Sequence, residues 1–319
     1  MGAMQAQEYK MMRWAVAMRT SAPSAEAFRL AYDRGEIIRT HLQRATWQLI
    51  SKEDYWWMLR LCGAKSEAAL KGWMHTNGIF IENDELLKIR ELLIRTAGEY
   101  GSVTKEDFVR ALAENGIRMD AHRLSYHIRL AEMSGTLCSG KLLPQKASYS
   151  LVSDKIGPEH SGPERDEALS MLARKYFQSH SPATLEDFVW WSGLNTGDCR
   201  RALTILGSEI ETVTFGERKF HIHNSCRTRG FRKGTVHLLP PYDEYLIGYK
   251  SRDISLDPEF SHKAHSGNGI FYPVVLSDGI VCGNWRASGS EVKFEFFGDT
   301  APSTERALEI WSRFAGGKV

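Results

Sequence analysis

The sequence predicts an α+β protein: tandem winged-helix (helix-turn-helix) domains followed by a C-terminal antiparallel β-sheet region with a terminal helix. Two observations carry this. The first is an internal echo, in which Thr104-Lys105-Glu106-Asp107-Phe108-Val109 returns as Thr184-Leu185-Glu186-Asp187-Phe188-Val189. Each copy follows a long helical pattern (85–100 and 165–180) and precedes another (120–134 and 196–206). Turn-punctuated alternating sequence then comes in each case (136–152 and 210–223). Threonine with an acid three residues on is close to the reciprocal pattern that caps a helix N-terminus. The order helix, capped helix, helix, β-hairpin therefore occurs twice. The second observation is a change of period in the last third, where 270–276, 280–286 and 292–297 alternate as strands do, with Ser277-Asp278-Gly279 as a hairpin turn.

The remaining elements follow in order. Residues 23–34 read as a short helix with Phe28, Ala31 and Tyr32 on its apolar face, closed by Gly35. Residues 37–42 and 46–50 read as strands joined by Gln43-Arg44-Ala45, the back half of a further winged helix. An aromatic-rich helix covers 55–61, and short helices continue through 66–74. A strand from 234 ends at Pro240-Pro241, where the backbone donors needed to continue a ladder are missing. Residues 303–314 read as an amphipathic terminal helix. The expected regions are a first, N-terminally shortened winged helix (1–83), a second (84–160), a third (161–226) and a C-terminal α+β region (227–319).

With 319 residues, 42% hydrophobic and 25% charged, the chain has an ordinary globular composition and the length of several domains. No apolar run approaches a membrane span and no signal-peptide order opens the chain, so a cytoplasmic location is expected. The cysteines Cys62, Cys138, Cys199, Cys226 and Cys282 are scattered, without a CxxC pair, and read as reduced thiols. His122, His127, His221 and His223 form no helical metal pair, and no metal or cofactor is expected. The net charge is only +2, so clustering matters more than the total. Arg227, Arg229, Arg232 and Lys233 gather around Gly230 and Gly234, either as a solvated turn or as a phosphate clamp, whereas 154–217 is net acidic. The adjacent pairs Trp56-Trp57 and Trp190-Trp191 read mostly as core, with base stacking the lesser reading.

Near the start, Gln5-Ala6-Gln7 sets two neutral amides around one small apolar residue. In an extended segment the amides share a face; at a helix end they diverge. Such pairs are usually solvated surface, yet an amide both donates and accepts and so is able to hold a water or a base edge.

Leu238-Leu239-Pro240-Pro241-Tyr242-Asp243-Glu244-Tyr245-Leu246-Ile247-Gly248-Tyr249-Lys250-Ser251-Arg252 resembles the C-terminal signature of the winged-helix DNA-binding domain-containing proteins. That family includes bacterial DNA glycosylases that unhook interstrand crosslinks and the azinomycin-resistance glycosylase. Residues 39–47, beginning Arg39-Thr40-His41, look like its arginine-threonine motif, and Gly269-Ile270-Phe271 and Val281-Cys282-Gly283-Asn284-Trp285-Arg286 resemble its C-terminal sheet. Gln5-Ala6-Gln7 matches its Gln-x-Gln motif. The resemblance runs from end to end.

It implies a monofunctional DNA glycosylase that excises N7-alkylguanine or unhooks interstrand crosslinks, with the hydrolytic water held by Gln5 and Gln7. It implies double-stranded DNA as the partner of a monomer, nucleoid association, and a concave basic surface. Arg39, Thr40 and Arg44 become expected DNA contacts. His41 and Trp47 fall in the wing, as packing residues near the cleft. Asp243 and Tyr245 follow the double proline and either face the cleft or, for Asp243, cap the next helix. The family places a helix before the glutamine motif. Here the motif begins at residue 5, so the opening segment is expected to fray. Winged helices mostly bind DNA without chemistry, so the alternative is a non-catalytic regulator or damage sensor; a third reading is a protein-interaction scaffold without affinity for DNA.

Overall fold

The computed structural model describes residues 1–227, 229–230, 232–288, 291–299 and 301–316. The chain forms two compact units. The first gathers Met1–Met4, Arg29–Lys175 and Ser192–Leu206; the second gathers Gln5–Phe28, Tyr176–Trp191 and Gly207–Val319.

A winged helix lies at the heart of the first unit. Helices Asn83–Tyr100, Lys105–Glu114 and Ala121–Met133 pack with strands Val103–Thr104, Leu137–Ser139 and Ser148–Leu151. The third of these strands sits centrally in the antiparallel sheet. Ile89, Leu93 and Ala97 recur on one face of the first helix and meet Phe108, Leu124 and Ile128 in a closed core. Thr104 and Asp107 make the expected reciprocal cap, with each side chain bound to the other residue's backbone N–H. Strands Ile37–His41 and Trp47–Ser51 pair antiparallel, with Ile38 opposite Ile50. Their tight link passes through left-handed backbone at Arg44 (φ 55°) and Ala45 (φ 54°).

One stretch differs from expectation. In place of several short helices, a single helix runs from Lys52 to Thr76. Gly63 sits within it, where a Cβ would lie 3.2 Å from Leu59 Cδ1 and 3.6 Å from the Met133 carbonyl. The helix runs through this glycine unbroken, and Leu70 and Met74 carry it onto Tyr126, Leu130 and Met133.

The second unit is built on a four-stranded antiparallel sheet in the spatial order Glu291–Phe296, Ile280–Ser288, Val274–Ser277, Val236–Leu239. Trp14, Leu238, Val275, Trp285, Trp311 and Phe314 close one face of it, so the opening helix Met12–Ala17 and the terminal helix Glu305–Gly316 cover the same sheet. Trp14 Nε1 donates to the Leu238 carbonyl and Trp285 Nε1 to that of Leu239, each at 2.7 Å. These bonds satisfy both indoles inside the core. The strand expected from residue 270 begins only at Val274, because Pro273 has no N–H to give to the ladder. The second copy of the echo repeats the cap: Asp187 N donates to Thr184 Oγ1 at 3.1 Å, and Thr184 N donates to Asp187 Oδ2 at 2.9 Å. Among the described residues no helix is long and apolar enough to cross a membrane.

Candidate active site

The Gln-x-Gln segment is neither a continuous strand nor a helix end. Extended backbone stops at Gln5, Gln7 lies in a bend, and the helix Met12–Ala17 begins after a turn in which Met12 N donates to the Glu8 carbonyl at 3.0 Å. Gln5 is buried at 6% exposure while Gln7 is exposed. The two amides therefore occupy different environments, one set into the unit and one at its surface. Glu8 Oε1 accepts locally from Lys10 N at 3.2 Å.

The segment does not fray. Gln5 N donates to Glu244 Oε1 at 2.5 Å. The other oxygen of that carboxylate, Oε2, accepts from Trp191 Nε1 at 3.1 Å and lies 3.5 Å from His180 Nε2. Glu244 is 1% exposed, so both of its oxygens depend on protein donors. Tyr176 stacks on the His180 ring at 4.5 Å, and the Tyr249 hydroxyl donates to the His180 carbonyl at 2.8 Å. Glu244 opens the short helix Glu244–Ile247, reached from the double proline through Tyr242 in the left-handed region (φ 58°).

The neighbouring acid settles a choice left open by the sequence. Asp243 caps this helix, with Oδ1 accepting from Tyr245 N at 2.9 Å. It also receives both terminal nitrogens of Arg19, at 2.6 and 2.9 Å. The paired carboxylate holds the Arg19 guanidinium pKa above its ordinary value, although burial opposes this. Asp243 is thus buried in a cap and an ion pair. The Tyr245 hydroxyl donates to the Gly279 carbonyl at 2.8 Å.

In the first unit the arginine-threonine motif points inward. Arg39 is 4% exposed and its guanidinium lies 4.4 Å over the Trp47 indole, with Arg129 stacked over the same ring at 5.4 Å. Thr40 is fully buried. Neither offers a surface donor of the kind a phosphate contact uses. The motif lies on the strand Ile37–His41, whose residues from Ile38 onward are all buried, so both faces of the strand are covered there. His41 Nδ1 lies 2.5 Å from Glu132 Oε2, both groups buried, and burial pushes the imidazole down against the pull of that carboxylate. Arg44 is half-buried at the strand link, close enough to Gly193 that a Cβ there would meet its Cγ at 3.2 Å. Arg227, Arg229, Arg232 and Lys233 are all exposed. Trp56, Trp57 and Trp191 are core, and Trp190 is the exposed member of its pair.

Glu244, His180 and Arg19 were not given roles from the sequence, and Trp191 was read only as core or, less so, as a base-stacking residue. Glu244 stood inside the quoted signature, but nothing local distinguishes a buried carboxylate from a solvated one. Its partner Gln5 is 239 positions away along the chain.

Residues 1–310 match the model of a family described as DNA glycosylase AlkZ-like. The curated "Interstrand DNA cross-link repair glycosylase" of Streptomyces sahachiroi is 25% identical over 320 residues, spanning 96% of this chain and 85% of that protein. The solved Streptomyces sahachiroi DNA glycosylase AlkZ superposes with a TM-score of 0.75 at 23% identity, over 98% of this chain and 88% of that one, which establishes a shared fold.

Proposed function

The chain belongs to the AlkZ-like DNA glycosylase family, and from that premise we propose that it hydrolyses the N-glycosidic bond of N7-alkylated guanine in duplex DNA, crosslinked guanine included. An N7-alkylguanine is already cationic. When the C1′–N9 bond breaks, its electron pair passes to the base, which leaves neutral, so little acid catalysis is needed. The sugar becomes an oxocarbenium ion. Water then forms the C1′–O bond and loses a proton to solvent. The protein's part is to place that water and to shelter developing positive charge with fixed dipoles.

In this reading the side-chain carbonyls of Gln5 and Gln7 accept the water's hydrogens and aim its lone pair. An amide is a poor base, but capture of an oxocarbenium ion asks mainly for position. The observation that carries the reading is the hydrogen bond from Gln5 N to Glu244, which fixes the motif's main chain at its buried end while Gln7 follows at the surface. The exposed cations Arg227, Arg229, Arg232 and Lys233 supply phosphate contacts on the flanking duplex. The protein works as a monomer on the bacterial nucleoid. The name of the Streptomyces sahachiroi relative supports crosslinks as substrates.

The test is unhooking of a nitrogen-mustard crosslinked duplex. The parent is expected to separate the strands, leaving an abasic site on one and the tethered excised guanine on the other, and Gln5→Ala/Gln7→Ala to leave the crosslink intact. Equal unhooking by both would remove the glutamines from the mechanism.

A further inference from the structure

We propose that Asp243 and Glu244 act together as a two-point clamp that positions the Gln-x-Gln segment, with Glu244 as the positioning residue for Gln5. The clamp's catalytic meaning rests on the reading of Gln5 and Gln7 given above; its geometry does not.

The segment from Gln5 to Arg19 has little structure of its own. Its helix is only six residues, Met12–Ala17, and has no side-chain cap at its start. So short a helix does not hold itself in place. Bonds from outside it do so, three among them at its two ends and its middle. Glu244 takes the backbone N–H of Gln5 at one end, Asp243 takes the guanidinium of Arg19 at the other, and the Trp14 indole reaches the Leu238 carbonyl between them. The two acids are adjacent, yet they occupy different backbone positions. Asp243 is the extended cap residue and Glu244 the first helical one, and the donors they bind, Arg19 and Gln5, stand at opposite ends of the segment in sequence.

Glu244 suits this task because its carboxyl group has two oxygens, Oε1 meeting Gln5 N and Oε2 meeting Trp191 Nε1. A glutamine there has a single acceptor oxygen and must turn its NH2 toward one of the two donors. The backbone of Gln5 sets the origin from which both amide side chains project. A displacement of about 1 Å is enough to cost on the order of 100-fold in rate. Gly248 protects the arrangement from behind, since a Cβ there would lie 2.8 Å from His180 Nε2.

The experiment combines single-turnover release of N7-methylguanine from duplex DNA with duplex affinity and hydrogen exchange of the Gln5 amide. The proteins are the parent, Glu244→Gln, Trp191→Phe, Gln5→Ala and Glu244→Gln/Gln5→Ala. Glu244→Gln is expected to slow release by roughly 10- to 100-fold, to leave duplex affinity within about 2-fold, and to speed exchange at Gln5. The double variant is expected to lose less than the product of the two single losses, because Glu244 acts in part through the Gln5 side chain. Trp191→Phe, which keeps the carboxylate but removes the indole donor to Oε2, is expected to show a smaller loss of the same kind. It carries the test if Glu244→Gln does not fold. Full-rate release by Glu244→Gln with unchanged exchange overturns the proposal, as does a double-variant loss equal to the product of the single losses. A fully active Gln5→Ala instead overturns the catalytic reading, and the exchange rates then decide the clamp by themselves.

Discussion

Lys155 shows at the scale of one residue what burial does to a charge. Its ammonium donates to the carbonyls of Ser139 at 2.7 Å and Gly140 at 2.6 Å and lies 4.8 Å over the Tyr32 ring. Burial pushes its pKa down to about 8. The unfolded chain holds this proton up to about 10.4, so between those values the unfolded state binds more protons and stability rises with pH. Relative to Lys155→Met, the parent should gain at most about 3 kcal/mol between pH 7.5 and 10.5. Urea unfolding at the two pH values measures it, and parallel pH profiles for the two proteins would contradict it. Nothing near Lys155 in the sequence announces this, and the same holds for the site. The glutamine pair and the Pro-Pro-Tyr-Asp-Glu-Tyr signature were both legible as motifs. Their union through Glu244 was not, because it spans most of the chain. Arg39 was expected at the surface, but its guanidinium packs on Trp47, and stacking of that kind is decided by tertiary neighbours.

Elements were legible where their causes are local. Both copies of the Thr-x-x-Asp echo cap helices, since capping needs only residues three apart. The long helix Lys52–Thr76 was less so, because Leu70 and Met74 pack on Tyr126, Leu130 and Met133, which are distant in the sequence. The two copies also differ in what else they hold. Asp107 is partly exposed, beside Arg110, whereas Asp187 is buried and its second oxygen accepts from Lys250 N at 2.8 Å and Ser251 N at 3.3 Å. Asp107→Ala should therefore cost about 1 kcal/mol, the usual worth of a cap. Asp187→Ala should cost about 2–4 kcal/mol, since it also leaves buried donors unpaired. Denaturant midpoints compare them directly, and equal losses would show that the bonds to Lys250 and Ser251 contribute nothing.

For the whole molecule, a net charge of +2 leaves DNA binding to local patches. Replacing Arg227, Arg229, Arg232 and Lys233 together by alanine should lower the slope of log affinity against log salt by about 3–4, as expected when each cation neutralises one phosphate (about 0.9 each). An unchanged slope would place the phosphate contacts elsewhere. The tandem winged-helix and sheet plan was readable from a repeated element order and a change of hydrophobic period. The burial of the opening segment was not, because its anchors lie on distant stretches of chain. Catalysis through that anchored segment is read by single-turnover release of free N7-methylguanine from a duplex with one such lesion. The parent should release the base and leave an abasic site, and Gln5→Ala/Gln7→Ala, bound equally well, should release it at least about 100-fold more slowly. Release by the variant at the parent's rate would show that the anchored glutamines take no part in the chemistry.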